Sequence, residues 1–350
     1  MPSSRRTKSE YSDYEGDVEG SAHSPQTVTI TNALNGKKYE ISKRLGKGGW
    51  GITYLCYDYK HRTRALKVER DTALVYEIAI LQEAKKHKCI HIAKMYDHGN
   101  CPEFDEPFIV MECFGKNVAD IKKNLPGKIF SKGTALRVLM QALDGIKELH
   151  MVGYISRDIK PSNFCVGRNS VAPKSIYIID FGVARNFTKD NEKTVINEYS
   201  PSAWKGTAKY CPIANHMYQK QCRRDDVESW FYMALELLEG KLPWNSINRK
   251  SRTIIEEHKK LLRDPGCEYF VKSPPFFQEI LLTIDKWKFL ERPKYSYIYK
   301  LFSDEVEKIG LKFSDPYDWE SGIINDIKEV NTEVLTSEDN NNKNNKVQIK

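Results

Sequence analysis

Arg157-Asp158-Ile159-Lys160-Pro161-Ser162-Asn163, followed seventeen residues after Asn163 by Asp180-Phe181-Gly182, is the stretch on which the reading of this chain turns. A carboxylate, an ammonium two residues on and an amide three residues beyond it share one short loop. The second carboxylate follows an apolar run, Tyr177-Ile178-Ile179, that reads as a strand. Each group has a distinct use in phosphoryl transfer. Asp158 is suited to accept or orient the proton of an attacking hydroxyl and Lys160 to stabilise charge on the transferring group, while Asn163 and Asp180 offer oxygen ligands to Mg²⁺. The ordered set, in a strand-and-loop context, is far more specific than any of its members.

Working towards the N-terminus, Leu45-Gly46-Lys47-Gly48-Gly49-Trp50-Gly51 contains GxGxxG, whose glycines let backbone N–H groups approach phosphates closely. Strand-like residues, Ile52-Thr53-Tyr54, follow it, which disfavours a dinucleotide fold, where a helix should begin. Taken alone, the motif reads equally well as a Gly-rich hairpin. In Ala65-Leu66-Lys67, sixteen residues past Gly51, the lysine taken alone reads as a solvated strand edge. Glu77, on the helical pattern that comes next, changes that reading: its carboxylate can pair with Lys67 and hold the ammonium against the α- and β-phosphates of ATP.

Short runs rich in Val, Ile and Tyr (Tyr39–Leu45, Ile52–Tyr57, Arg64–Glu69) predict antiparallel strands. A helix is expected over Thr72–Lys88 and one more buried strand over Phe108–Cys113. Beyond Lys116 the pattern turns helical, most strongly over Thr134–Met151, Asp226–Leu238 and Phe276–Phe289, interrupted by a strand-like pair at Phe164-Cys165-Val166 and Tyr177-Ile178-Ile179. No repeat is visible at periods of about 20–50 residues.

With 40% of its 350 residues hydrophobic and 29% charged, the chain has a globular composition, which excludes a fibre or a wholly disordered polypeptide. The Ser/Glu/Gly-rich start and the Asn-rich end are expected to be disordered tails. Residues 1–28 carry a net charge of −2 and residues 321–350 of −1, against +8 for the whole, so the central segment holds +11. That excess favours acidic or phosphorylated partners by long-range steering, and equally a plain Lys-rich solvated surface. A nucleic-acid binder is a third reading, without any recognised aromatic or zinc module to support it. Eight scattered cysteines without a CxxC pair argue against a zinc site or a disulfide framework. No apolar run of membrane-spanning length is present and the N-terminus lacks an apolar signal core, so the expected location is cytoplasmic, with the nucleus also open.

From about Lys38 to Glu320 the sequence resembles the eukaryotic protein kinases. Ile159-Lys160-Pro161-Ser162-Asn163-Phe164, Gly206-Thr207-Ala208-Lys209-Tyr210, Arg224-Asp225-Asp226-Val227-Glu228-Ser229 and Leu242-Pro243-Trp244 resemble the casein kinase 1 group. Within it, Lys116-Asn117-Val118-Ala119-Asp120 and Ser314-Asp315-Pro316-Tyr317-Asp318-Trp319-Glu320 are most similar to the tau-tubulin kinases. The resemblance implies an α+β, two-lobed protein-kinase fold with a small β-rich N-lobe over residues 29–115 and a larger helical C-lobe over 116–320. It also implies ATP and Mg²⁺ in the cleft, a monomer, and Ser/Thr-bearing protein substrates, with neither membrane nor nucleic acid as partner. Leu45–Thr53, Ala65, Lys67 and Glu77 would line the nucleotide, Met111 would be the gatekeeper, and Glu112 and Phe114 would offer hinge backbone groups to adenine. Asp226 would begin a helix that anchors the catalytic loop. Arg157, Lys205, Lys209, Arg249, Lys250 and Arg252 would form an anion site reading acidic or phosphorylated residues upstream of the target.

The family pattern is broken in three places. Ser156 stands where a histidine usually packs beneath the Asp180 turn, Thr53 replaces an aliphatic residue against adenine, and the stretch from Lys67 to Glu77 is short. The usual Ala-Pro-Glu is absent near Cys211-Pro212-Ile213, as expected for the group. A pseudokinase scaffold that binds without turnover is the alternative to an active enzyme.

Overall fold

The computed structural model describes residues 28–47, 51–69, 73–101, 106–168, 174–187 and 202–320. Gly48, Gly49 and Trp50 of the Gly-rich loop, and both expected tails apart from Val28, lie outside the described residues.

In the N-terminal part, β1 (Val28–Thr31), β2 (Lys38–Lys47), β3 (Gly51–Tyr57) and β4 (Thr63–Glu69) are followed by α1 (Ala73–Lys86), β5 (Met95–Cys101) and β6 (Glu106–Met111). They form one antiparallel six-stranded sheet in the order β1-β2-β3-β4-β6-β5. Alternation explains how β4 serves two faces. Leu66 and Val68 join Ile30, Tyr39, Cys56, Phe108 and Val110 in a small core on one side of the sheet. Ala65 faces the other side, with Leu55, Ile109 and Met111, where Leu74, Ile80, Leu81 and Ala84 of α1 complete the packing. Lys67 therefore emerges from a strand that is buried on both faces.

The C-terminal part is mainly helical. α2 (Val118–Asn124) is capped by Asn117, whose side chain accepts the Asp120 N–H, and α3 (Lys132–Met151) by Ser131, which accepts from Thr134. β7 (Tyr154–Ile155) then leads to a 3-10 turn at Pro161–Asn163 and the antiparallel pair β8 (Phe164–Val166) and β9 (Ile176–Ile178). β10 (Arg185–Asn186) returns to pair with β7. The remaining helices are α4 (Ile213–His216), α5 (Arg223–Glu239), α6 (Arg252–Leu261), α7 (Phe277–Asp285) and α8 (Tyr295–Lys308). α5 is buried along its length from Asp225 to Leu238, which makes it the central pillar of this part, and Gly240 ends it in the left-handed conformation at φ 87°.

A segment that follows α8 straps α3. Arg137 is buried, and its planar fork donates to the carbonyls of Phe313 (3.3 Å), Asp315 (2.5 Å) and Pro316 (2.9 Å), with the guanidinium 4.0 Å from the Tyr317 ring centre. Asp318 accepts from the Ser131 N–H, the Ser131 hydroxyl and the Thr134 hydroxyl, at 2.6, 2.6 and 2.8 Å, so it caps the start of α3.

The architecture is the α+β, two-part arrangement that the resemblance implies. The sequence reading missed β1, β5, β7, β10, α2, α4, α6 and α8. β5 carries the polar string Asp97-His98-Gly99-Asn100 and a register shift between Met95 and Asp97, which breaks the alternation that marks a strand. Among the described residues, no helix is long and apolar enough to cross a membrane.

Candidate active site

The catalytic loop hangs between β7 and β8 and is held from beneath by Asp226 in the first turn of α5. Asp226 Oδ2 accepts from the Ser156 N–H (2.6 Å) and from His150 Nε2 (2.9 Å), and Oδ1 accepts from the Arg157 N–H (2.9 Å). The Tyr295 hydroxyl meets His150 Nδ1 at 2.5 Å, so both ring nitrogens are occupied. These contacts hold Arg157 at φ 63°, a left-handed conformation that costs a non-glycine residue free energy. Asp180 shares it, at φ 65°.

In this frame the predicted loop residues converge. Lys160 Nζ lies 2.6 Å from Asp158 Oδ2 and 3.2 Å from the Thr207 hydroxyl, which itself donates to Asp158 Oδ1 at 2.8 Å. Asn163 Nδ2 donates to the Asp158 carbonyl (2.9 Å) and meets its carboxylate at 3.3 Å. The amide nitrogen is thereby turned into the loop, which leaves Asn163 Oδ1 as the atom able to ligate a metal. Thr207 was not singled out as a site residue. It reaches Asp158 because Gly206, at φ 84°, lets two backbones touch: a Cβ there would sit 2.2 Å from the Arg157 carbonyl oxygen.

Across the cleft, Lys67 Nζ is 2.7 Å from Glu77 Oε2 and 3.3 Å from Asp180 Oδ1, so the short connection still allows the pairing. A third carboxylate, Glu69, lies 2.8 Å from the same ammonium and was not anticipated. Burial opposes charge on Lys67, but Glu77, Asp180 and Glu69 outweigh it and hold the ammonium well above its ordinary range. Burial likewise pushes Asp180 up, and Lys67, with the Gly182 N–H and Lys160, more than reverses this, keeping the carboxyl below its usual value. At Glu77 burial wins, and its carboxyl is raised despite Lys67. Phe181 is buried beneath Asp180, while the Asp180 side chain stays half exposed at the cleft. Asp180 and Asn163 are hard oxygen donors of the kind Mg²⁺ takes, and their chemistry fits a metal shared with phosphate oxygens.

Met111 ends β6 opposite Ala65, and Phe114 stacks on Tyr177 with ring centres 4.4 Å apart. The Glu112 N–H is given to the Lys94 carbonyl at 2.9 Å, so the carbonyl is the Glu112 backbone group left for a ligand. Leu45, Gly46 and Lys47 lie at the end of β2, and Gly51, Ile52 and Thr53 at the start of β3, with Thr53 opposite Lys67.

Several residues of the expected anion site have partners within the protein. Lys209 is turned inward: its ammonium lies 3.1 Å from Glu236, a buried α5 carboxylate that also takes Lys122 (3.3 Å) and the Tyr210 hydroxyl (2.5 Å). A carboxylate at that depth is stable only with such partners, and Lys209 is one of them. Arg157 donates through Nε to the Val183 carbonyl at 2.7 Å, and burial with Arg185 nearby pushes its pKa down to about 10. Arg252 stacks its guanidinium 3.9 Å from the Trp204 ring centre. Arg249 and Lys250 are exposed before α6, and Lys205 is half-buried with its backbone paired to Asn215.

Near Cys211-Pro212-Ile213, where Ala-Pro-Glu is missing, Glu228 of α5 packs against the chain. It accepts the Ile213 N–H (3.2 Å) and pairs with Arg263 (3.1 Å), which also binds Asp285 at 2.8 Å.

Comparison with known proteins agrees with this geometry. Residues 39–305 match the model of the protein kinase domain. The chain is 36% identical to the serine/threonine-protein kinase spe-6 of Caenorhabditis elegans, over 61% of this chain and 57% of that protein. It is 32% identical to a Dictyostelium discoideum protein provisionally named a serine/threonine-protein kinase, over 81% of this chain and 56% of the other. A C. elegans protein provisionally named a casein kinase I is 30% identical over 81% of this chain and 84% of its own length. The chain thus spans little more than half the length of the first two relatives.

Proposed function

Because the chain belongs to the protein kinase domain family, we propose that it is an active serine/threonine protein kinase, transferring the γ-phosphoryl of ATP to a protein hydroxyl. The observation that carries this is the simultaneous assembly of Lys67 with Glu77 and Asp180 on one side of the cleft and of Asp158 with Lys160, Asn163 and Thr207 on the other.

Mg²⁺, when bound, would neutralise phosphate charge, with Asp180 and Asn163 as its protein ligands. Lys67 holds the phosphates by charge and is itself steadied by Glu77. Asp158 orients the substrate hydroxyl and takes its proton. Lys160, anchored on Asp158 and Thr207, offsets negative charge as the phosphoryl group moves. Positioning and electrostatics account for this chemistry without a covalent enzyme intermediate.

We assign the chain to the casein kinase 1 group, on the motifs around Asn163, Gly206 and Asp226, with the provisionally named casein kinase I relative in support. Similarity to the tau-tubulin kinases within that group rests on the Lys116–Asp120 and Ser314–Glu320 strings. Acidic or phosphorylated context upstream of the target is the preference we infer, resting on Lys205, Arg249 and Lys250 and no longer on Lys209.

The test is Mg²⁺-dependent ATP consumption with a general acidic protein substrate, in wild type and in Lys67→Met, Asp158→Asn and Asp180→Asn. Turnover in wild type and its loss in all three is the expected result. Nucleotide binding without turnover in the wild type would instead establish a scaffold, and full turnover in Asp158→Asn would overturn the assignment of the base. A peptide array indifferent to upstream negative charge would refute the context preference.

A further inference from the structure

Lys67 and Glu69 are two residues apart on β4, so they share the face that lines the cleft. The neighbour of Glu69 across the sheet is Gly51, where an added Cβ would lie 2.2 Å from the Val68 carbonyl oxygen and 2.9 Å from Glu69 Cα. Any larger residue would push β3 away from Glu69 and open it to water. Glu69 is only 2% exposed, and its Oε2 has no aligned hydrogen-bond donor, so that oxygen depends on the 2.8 Å charge contact with Lys67. Among the described residues, Lys67 is the one cation paired with it. A carboxylate so placed is tolerated only because that ammonium is there.

The dependence runs both ways. An ammonium has three donors, and Lys67 faces three carboxylates, Glu69, Glu77 and Asp180. Asp180 is half exposed at the cleft mouth, whereas Glu69 and Glu77 are both buried and come from different elements, a strand and a helix. Two buried anchors at 2.7 and 2.8 Å fix the ammonium where one would let it swing. A Cβ on Gly182 would lie 3.3 Å from Glu69 Oε1, so the same carboxylate also borders the Asp180-Phe181-Gly182 turn.

We propose that Glu69 is a second positioning residue for Lys67, sharing with Glu77 the work of holding the ammonium toward the nucleotide phosphates, so that loss of Glu77 alone leaves Lys67 still tethered. This rests on the reading of the cleft as a phosphotransfer site.

The experiment is a double-mutant cycle on the full chain with Glu69→Gln, Glu77→Gln and the double variant. Glutamine keeps the side-chain size and removes the charge. With peptide saturating and ATP varied, Glu77→Gln is expected to lower kcat/KM for ATP by less than about tenfold and Glu69→Gln by about threefold. The double variant should lose more than about a hundredfold, well beyond the product of the single losses, while KM for the peptide stays unchanged. A double loss within about threefold of that product, or a KM for the peptide that rises along with that for ATP, overturns the proposal. If the wild type binds ATP without turnover, the same cycle is read in the dissociation constant of ATP by calorimetry, with the same criterion. Failure of the kinase reading is thereby separated from failure of the Glu69 assignment. Should Glu69→Gln not fold, as judged by melting, Glu69→Asp replaces it: one methylene shorter, it keeps the charge but loses the reach, and the same excess loss with Glu77→Gln is expected.

Discussion

Replacing Asp226 by asparagine probes the scaffold of the catalytic loop without touching the cleft. Its two oxygens serve three donors: Oδ2 takes the Ser156 N–H and His150, and Oδ1 takes the Arg157 N–H. An amide offers one acceptor oxygen, so at least one of these buried donors is left unanswered, at a cost of about 1–3 kcal/mol. The bonds that survive pass from a charged to a neutral acceptor, and each weakens by about 1 kcal/mol. The sum is about 3–5 kcal/mol, in line with the removal of one partner from a buried charged network. For a domain of this size that corresponds to a fall in melting temperature of about 10 °C. The loop should also relax from the left-handed conformation at Arg157, displacing Asp158 and lowering kcat at least about tenfold, since misplacement of a reacting group by about 1 Å is enough to do so. Thermal melting followed by circular dichroism, with kcat and ATP affinity measured well below the transition, separates the two effects. ATP affinity should change little, because Lys67 and Glu77 do not touch Asp226. A melting temperature within about 2 °C of wild type would refute the reasoning, since it would mean that the three bonds carry no net stability.

Other expectations are equally direct. Gly206→Ala should lower kcat strongly, because its Cβ would lie 2.2 Å from the Arg157 carbonyl oxygen at a backbone φ of 84°; unaltered kinetics would contradict the close approach. His216 is buried beside Lys259, and burial, with Lys259 adding to it, pushes its pKa down to about 3 from its ordinary value of 6.5. A depressed folded-state pKa means that stability is present in full above about 6.5 and is lost progressively as pH falls toward about 3, so a urea midpoint that stays flat across that window would exclude it. Lys209→Ala should lower the melting temperature by stripping Glu236 of a cation, while leaving the discrimination between phosphorylated and unphosphorylated peptides unchanged; a selective loss of that discrimination would return Lys209 to the substrate site.

What could be read in advance follows from how local each signal is. Asp158, Lys160 and Asn163 lie within six residues of chain, and β8 and β9 follow as short apolar runs, so their grouping is written in order along the sequence. Glu77 was legible through the helical period around it. Thr207 and Glu69 were not, because their partners are set by the close approach of Gly206 to the catalytic loop and of β3 to β4, neither of which has a period. The pairing of Lys209 was hidden for the same reason. The carboxylate that captures it, Glu236, sits 27 residues away on a helix buried all round, where ordinary amphipathic reading offers no inner and outer face. α8 escaped notice because Tyr295, Tyr297 and Tyr299 crowd the positions where aliphatic residues usually mark a helix.

The strap that Arg137 and Asp318 fasten across α3 joins residues separated by 176 to 187 positions in the chain. While the polypeptide is being made, α3 leaves the ribosome with a buried-side guanidinium lacking its carbonyl acceptors and a helix start lacking its acidic cap. Neither deficit is relieved until residues 313–318 follow. Closing so long a loop is slow, and the helical half waits for it with apolar surface exposed. A message cut short before Phe313 therefore yields a substrate for chaperones and proteases, although every residue of the catalytic loop has already been translated.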